Sequence, residues 1–217
     1  MDENKAKIIE MRLEKTKKAL INNNMNAIIV DSKEQALKKI RSMILEGDII
    51  GAGGSRTLDE IGLIDYLNEH PREFDFIGRR RSEEELFSLN KREIQRQSLL
   101  SDIFFCSSNA ITENGELFNI DGNGNRVAAL AFGPKSVVVV AGYNKIVKDI
   151  DEAYQRVRRI SAPANALRLG LETPCSVAGE CQDCRSDCKI CCSALIQGWQ
   201  RNKNRITVIL VKEELGF

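Results

Sequence analysis

Six of the seven cysteines fall in one short segment, as Cys175-x5-Cys181-x2-Cys184-x6-Cys191 with Cys188 and Cys192 interleaved. Thiolates converging from a loop make a tetrahedral sulfur site, which suits an iron–sulfur cluster or a zinc ion. Thiol redox chemistry without a metal is the third reading. Cys191 and Cys192 are adjacent, and neighbours rarely reach one centre together. The expected ligand set is therefore Cys175, Cys181, Cys184 and Cys191, with Cys188 as a substitute. Dense disulfide frameworks belong to secreted chains, and the charged start Met1-Asp2-Glu3-Asn4-Lys5 fits no signal peptide. The expectation is a cytoplasmic protein. The single histidine, His70, excludes a two-histidine metal site; standing before Pro71, it reads as a surface residue at a helix end.

A second constellation is Gly51-Ala52-Gly53-Gly54-Ser55-Arg56-Thr57. Here a strand ends, glycines let the backbone approach a ligand, and a helix begins with free N–H groups that favour an anion. It is neither a Walker loop nor a dinucleotide fingerprint, because the last glycine of that pattern is replaced by Arg56. A third is the run from Ser107 to Glu116, which follows a strand, where open α/β sheets place their sites. It offers Asn109 as a ligand contact and Glu113 as a nucleophile or base. Asp121-Gly122-Asn123-Gly124-Asn125 imitates the start of an EF-hand loop, but Arg126 and Phe132 stand where that loop needs Gly and Glu. It reads as a turn. Arg79-Arg80-Arg81 is a further anion candidate, with Glu83, Glu84 and Glu85 close enough to neutralise it.

The elements that position these residues follow from apolar spacing. Residues 4–24 read as an amphipathic helix with Ile8, Ile9, Leu13 and Leu20 inward, and 33–45 as a second. Thr57 opens another helix, with Glu60 completing a capping box. A long polar helix is expected over 82–100 and one more over 146–160. Short, continuously apolar strands are expected at 27–30, 48–50, 74–76, 102–106, 135–141 and 205–211. Strands alternating with helices imply an α/β fold with a mostly parallel sheet flanked by helices. Continuous apolar runs fit strands covered on both faces. Residues 107–134 read as loops and short hairpins, because Asn114-Gly115, Asp121-Gly122 and Asn123-Gly124 are turn signals. Residues 1–217 are expected to form a single domain, with 174–192 a small cysteine-rich lobe within it.

Composition narrows the functional classes. Of 217 residues, 32 are basic and 31 acidic, giving a net charge of +1. Nucleic-acid binding normally demands a basic excess, so no nucleic-acid partner is expected. Apolar runs reach about six residues against the roughly 20 of a membrane span.

Several segments, taken in order, carry a family resemblance. They are 49–58 with Ile61-Gly62; 102–110 with Gly115 and Asp121-Gly122-x-Gly124-x-Arg126-Val127; Val138 to Val147 with Asn144-Lys145; and the ending Glu214-Leu215-Gly216-Phe217. Together they resemble the lactate-utilisation (LUD) domain family, in its stand-alone type with a cysteine-rich tail, over residues 5–217. The resemblance implies a fold akin to the ribose-5-phosphate isomerase, glucosamine-6-phosphate deaminase and CoA-transferase superfamily. It also implies a link to an iron–sulfur complex that oxidises L-lactate to pyruvate. The related cysteine pattern matches Cys175, Cys181, Cys184 and Cys191, in keeping with a 4Fe-4S cluster. Thr112-Glu113-Asn114-Gly115 also resembles the stretch carrying the catalytic glutamate of CoA transferases, although Asn119-Ile120-Asp121 replaces the glycine-rich continuation.

Three functions follow as expectations. The first is a redox-associated oxidoreductase component in which the glycine loop (Gly51, Gly53, Gly54, Ser55, Arg56, Thr57), Asn109 and Lys145 hold a small anionic metabolite. Its cysteine lobe would hold a cluster serving a redox protein partner. The second is an acyl or CoA transferase using Glu113. The third is a non-catalytic sensing or assembly subunit with a structural zinc.

Overall fold

The computed structural model describes residues 2–78 and 91–217. The Arg79-Arg80-Arg81 run and the first part of the helix expected over 82–100 lie outside the described residues.

Two sheets organise the chain. The larger contains β1 (Asn26–Val30), β2 (Ile49–Ala52), β3 (Asp75–Phe76), β4 (Ile103–Cys106), β7 (Ser136–Gly142) and β10 (Ile206–Val211), in the order β1-β10-β7-β4-β2-β3. Every pairing in it is parallel. The smaller has the order β8-β5-β6-β9, from β5 (Ala110–Thr112), β6 (Leu117–Asp121), β8 (Ile146–Val147) and β9 (Ser193–Gln197). The expected α/β class with a mostly parallel sheet is the class observed.

The large sheet is covered on both faces, which explains its unbroken apolar runs. Successive side chains of a strand point to opposite faces. Phe104, Val137 and Val139 join one apolar cluster with Val208 and Leu210, while Phe105, Val138 and Val140 join another with Ile209 and Val211. The first cluster is closed by α1 (Glu3–Asn22) through Leu13 and Leu20. Asp2 caps this helix, accepting from the backbone N–H groups of Asn4 and Lys5. Ile8, expected to face inward, is exposed; the buried stripe is Leu13, Thr16 and Leu20. The second cluster is closed by α2 (Lys33–Arg41), α3 (Arg56–Glu60) and α4 (Leu63–Glu69), through Ala36, Ile40, Leu58, Leu63 and Leu67.

Five further α-helices follow, α5 (Lys91–Gln97), α6 (Asn125–Ala131), α7 (Ile150–Arg156), α8 (Ala162–Arg168) and α9 (Pro174–Ala178), with short 3-10 turns at Ser98–Leu100 and Tyr143–Lys145. A single π turn, Val157–Ser161, joins α7 to α8. The structure revises several boundaries. The helix expected over 33–45 ends at Arg41. The one expected from 146 starts at Ile150, because Ile146 and Val147 pair with Ile111 and Thr112 as an edge strand. The segment read as loops contains α6, and β9 follows the cysteine segment directly.

Candidate functional site

A cleft of about 320 Å³ opens beyond the carboxyl ends of the parallel strands. The loop after β2 contributes Gly54, Ser55 and Arg56; the loop after β4 contributes Ser107, Ser108 and Asn109; the turn after β7 contributes Lys145. Ligands of open parallel sheets bind at this edge.

Lys145 is buried there, only 3% exposed. Its Nζ donates to Thr57 Oγ1 at 2.8 Å and to Ser107 Oγ at 2.9 Å. Burial, with the Arg156 and Arg126 guanidiniums nearby, pulls its pKa down to about 7. Arg156 is itself buried and reaches the Asn144 and Asn109 carbonyls and Ser161 Oγ at 3.1, 2.6 and 2.7 Å. Burial pulls its pKa down to about 10. The π turn sets Ser161 against Arg156 and, with α8, brings Asn165 and Arg168 to the cleft wall.

Arg126 explains the spacing Asp121-Gly122-x-Gly124-x-Arg126-Val127. Its guanidinium donates to Asp121 Oδ1 at 2.7 Å, Asn109 Oδ1 at 2.9 Å, the Ser107 carbonyl at 2.9 Å, the Ile120 carbonyl at 3.1 Å and Asn119 Oδ1. Asp121 Oδ2 accepts from the Val127 N–H at 2.9 Å. One arginine thus ties β6, the loop after β4 and the start of α6 into one wall.

Some expected ligand contacts meet here and others do not. Gly54, Ser55, Arg56, Asn109 and Lys145 line the cleft, and Thr57 holds Lys145. Gly51 lies within β2 against Phe104 and Ser101, and Gly53 packs on Arg126 and Cys106, so neither borders the cleft. Helix α3 has five residues, and Ser55, not Thr57, caps it by accepting from the Leu58 N–H. Glu60, expected in a capping box, instead accepts from Arg56 Nε and the Gly216 N–H. Asn109 Oδ1 is committed to Arg126 and the Ile120 N–H. Glu113 lies elsewhere: Arg12 Nε and Lys15 Nζ of α1 each meet one of its carboxylate oxygens at 2.7 Å. These bonds, Lys15 foremost, hold its carboxyl below the usual carboxylate range despite partial burial.

Arg126, Arg168 and Lys189 are site residues to which motif reading gave no ligand role, and Ser107 was read only as the start of the run after β4. Arg126 had a signal, its fixed distance from Asp121 and Gly124, whereas Arg168 and Lys189 reach the site through packing.

The cysteine segment supplies another part of the cleft wall, through Lys189 and Ile190. Gly122 favours this close approach, since a Cβ there would lie 3.1 Å from Ile190 Cα, a tight contact that the segment would have to relieve. The Cys192 N–H donates to the Asp121 carbonyl and the Cys181 N–H to the Arg158 carbonyl, both at 2.8 Å. Cys191 has its thiol pKa raised, first by burial and, against the opposing charge of Lys189, by the neighbouring thiols of Cys181, Cys184 and Cys192. Clustered sulfur donors of this kind suit a thiolate-bound group. Cys175 stands apart on α9, buried, with Sγ 3.2 Å from Thr173 Oγ1. Among the described residues, no three Cys, His, Asp or Glu side chains already converge as a metal-ion site. Cys106 is buried beneath the cleft, and desolvation pushes its thiol up to about 12.

A fully parallel central sheet with a cleft at its carboxyl edge defines an α/β protein that is open at the strand ends. The LUD domain model matches residues 13–211, and the chain belongs to the LUD domain family. A DUF162 family protein from Deinococcus radiodurans shares the fold, at 14% identity and a TM-score of 0.50, covering 94% of this chain and 97% of that one. The eIF2B delta structure from Chaetomium thermophilum aligns over 57% of this chain and 50% of its own, at 17% identity and a TM-score of 0.37. No curated protein matches the sequence. No helix among the described residues is long and apolar enough to cross a membrane.

Proposed function

We propose that this LUD-domain protein binds a small anionic metabolite of the 2-hydroxy or 2-oxo acid class, as a redox-associated component of 2-hydroxy-acid utilisation. One observation carries the reading, the charge of the cleft. Arg168 and Lys189 stand on its walls beside Arg56, which is shared with Glu60, while its acidic side chain, Asp121, is locked onto Arg126. A carboxylate entering there meets a surplus of donors in a partly desolvated space, where charge-assisted bonds are strong.

Cys181, Cys184 and Cys191, with Cys175 or Cys188 as the fourth thiolate, would hold an iron–sulfur cluster of the 4Fe-4S type beside this cleft. When bound, such a cluster supplies one-electron transfer, which side chains lack. Oxidation of a 2-hydroxy acid to a 2-oxo acid releases two electrons and two protons, so a redox protein partner completes this reading. The chain's own residues bind and orient the acid and exclude water from the floor of the cleft. The double ion pair of Glu113 favours a structural role for that residue over acyl transfer.

Calorimetric titration with L-lactate, pyruvate and phosphate tests the ligand. Saturable binding is expected, weakened at least about tenfold by Arg168→Ala combined with Lys189→Ala. Absence of binding by all three would overturn the reading. Purification without oxygen followed by iron, sulfide and zinc assays tests the lobe. About four iron and four sulfide per chain are expected; one zinc without sulfide would make the lobe structural.

A further inference from the structure

We propose that Lys145 is a nucleophilic amine that condenses with the carbonyl carbon of a small 2-oxo acid held in the cleft. The inference rests on the small-anion reading above and assigns a covalent step to one side chain.

The hydrogen bonds around Nζ carry the argument. Thr57 donates its own hydroxyl proton to the Leu215 carbonyl at 3.3 Å, and Ser107 donates its own to the Ser108 carbonyl at 3.4 Å. Both hydroxyls must therefore act as acceptors toward Lys145, at 2.8 and 2.9 Å. A neutral amine has two N–H bonds and one lone pair. The two N–H bonds are taken and the lone pair stays free, on a residue that lines the cleft. Among the described residues, no carboxylate forms an ion pair with this buried lysine.

The surroundings agree with the hydrogen bonds. The charged and titratable groups acting on Lys145 are Arg156 and Arg126, which disfavour its protonation, and Glu60 and Cys106, which oppose them more weakly. With a pKa of about 7, much of the amine is neutral at physiological pH. An ordinary surface lysine is neutral in fewer than about one molecule in a thousand there. Desolvated lysines beside cations are a known route to amine nucleophiles.

The step balances within the site. The nitrogen lone pair attacks the carbonyl carbon, and the C=O π pair moves onto oxygen. A proton passes from nitrogen to that oxygen, giving a carbinolamine. The nitrogen pair then forms C=N as the hydroxide leaves, the remaining N–H proton joins that hydroxide to give water, and an imine links Lys145 to the acid. No oxidant or reductant is consumed. The acid's carboxylate is held by Arg168 and Lys189, while Thr57 and Ser107 position the amine. The imine withdraws electrons from the neighbouring carbon, which activates it for proton exchange.

Trapping on the full chain tests this. The protein is incubated with pyruvate or glyoxylate and sodium cyanoborohydride, which reduces an imine to a stable secondary amine, and is then mapped by peptide mass spectrometry. The expected result is one adduct per chain, on Lys145, saturating at the concentrations that saturate calorimetric binding and suppressed by phosphate. Trapping should rise with pH through about 7 and level off, whereas adducts on exposed lysines keep rising toward their ordinary pKa near 10.4. Lys145→Arg should show no adduct with an unchanged circular dichroism spectrum. Ser107→Ala, the milder change, should slow trapping about tenfold through lost positioning; the wild-type map and this variant decide the matter if Lys145→Arg does not fold. Pyruvate binding without an adduct on Lys145, or adducts scattered over many lysines, would overturn the covalent step and leave the anion site standing. Absence of both binding and adduct would remove both readings.

Discussion

Burying an ammonium group with no carboxylate beside it is unfavourable, and at Lys145 the fold relieves the conflict by releasing the proton. The folded-state pKa of about 7 lies below the ordinary 10.5. Between those values the unfolded chain holds a proton that the folded chain does not. Stability contributed by this residue therefore rises with pH across that window and is flat below it, by about 1.4 kcal/mol per pH unit at the steepest. Urea unfolding of the wild type and Lys145→Met between about pH 6 and pH 9 should show the wild type gaining on the variant above pH 7; parallel curves would mean that the amine keeps its proton. Glu113 behaves in the opposite sense. Its carboxyl is held below the ordinary 4.5 by Lys15 and Arg12, so its contribution is present above that value and lost as acid protonates it. Because its partners are largely exposed, Glu113→Gln should cost only about 1 kcal/mol at neutral pH, with the cost fading as the pH falls below the ordinary carboxylate value and the folded carboxyl takes up its proton, as read by chemical denaturation. Lys145 was legible in the sequence as a cation beside an asparagine after the strongest strand. Its burial was not, since the Thr57 and Ser107 hydroxyls that receive it lie 88 and 38 residues away in sequence.

At the scale of elements, α1 joins the two sheets. It packs on the parallel sheet through Leu13 and Leu20 and meets the small sheet through Arg12, which donates to the Ile146 carbonyl and to Glu113. The β5–β6 turn presses so closely on this helix that Gly115, at φ +80°, has Ala19 backbone carbon 2.5 Å from where a Cβ would stand. Gly115→Ala should therefore cost roughly 2–4 kcal/mol, from strain at positive φ added to the clash, read as a fall in the urea midpoint with little change in slope. An unaltered midpoint would mean that α1 moves away freely. The turn was legible as Asn114-Gly115, and so were the parallel strands, because continuous valines and isoleucines leave few alternatives. Helix α6 was hidden because its seven residues give fewer than two full turns of pattern and follow two strong turn signals. The strand pair Ile146–Val147 and the alternating edge strand β9 draw their pairing from partners distant in sequence, Ile111 and Phe118 among them. No local spacing announces that kind of contact.

Over the whole molecule, six of the seven thiols divide into two environments that report on different events, Cys175 being the buried thiol of α9. Cys106 sits on the central strand β4, paired across to Val139, fully buried and with its thiol pushed up to about 12. Alkylation requires an exposed thiolate, so Cys106 is reached only when the sheet itself opens. Cys188 and Cys192 are exposed, and Cys181, Cys184 and Cys191 are partly so, on a segment whose described backbone contacts are few beyond those to Asp121 and Arg158. In metal-free native protein, iodoacetamide should label Cys181, Cys184, Cys188, Cys191 and Cys192 within minutes while Cys106 remains protected; adding urea should then expose Cys106 along the same curve as circular dichroism. The proposed exchange of a thiolate-bound group by the lobe needs such a separation from the sheet that fixes Lys145, Ser107 and Arg126. Among the described residues the lobe is tied down at two places, the Asp121 turn, through the Gly122–Ile190 contact and the Cys192 N–H, and Arg158, through the Cys181 N–H and the Asp183 carboxylate. Labelling of Cys106 at the lobe's rate would contradict this division and would mean that the sheet edge beneath the cleft opens with the cysteine segment.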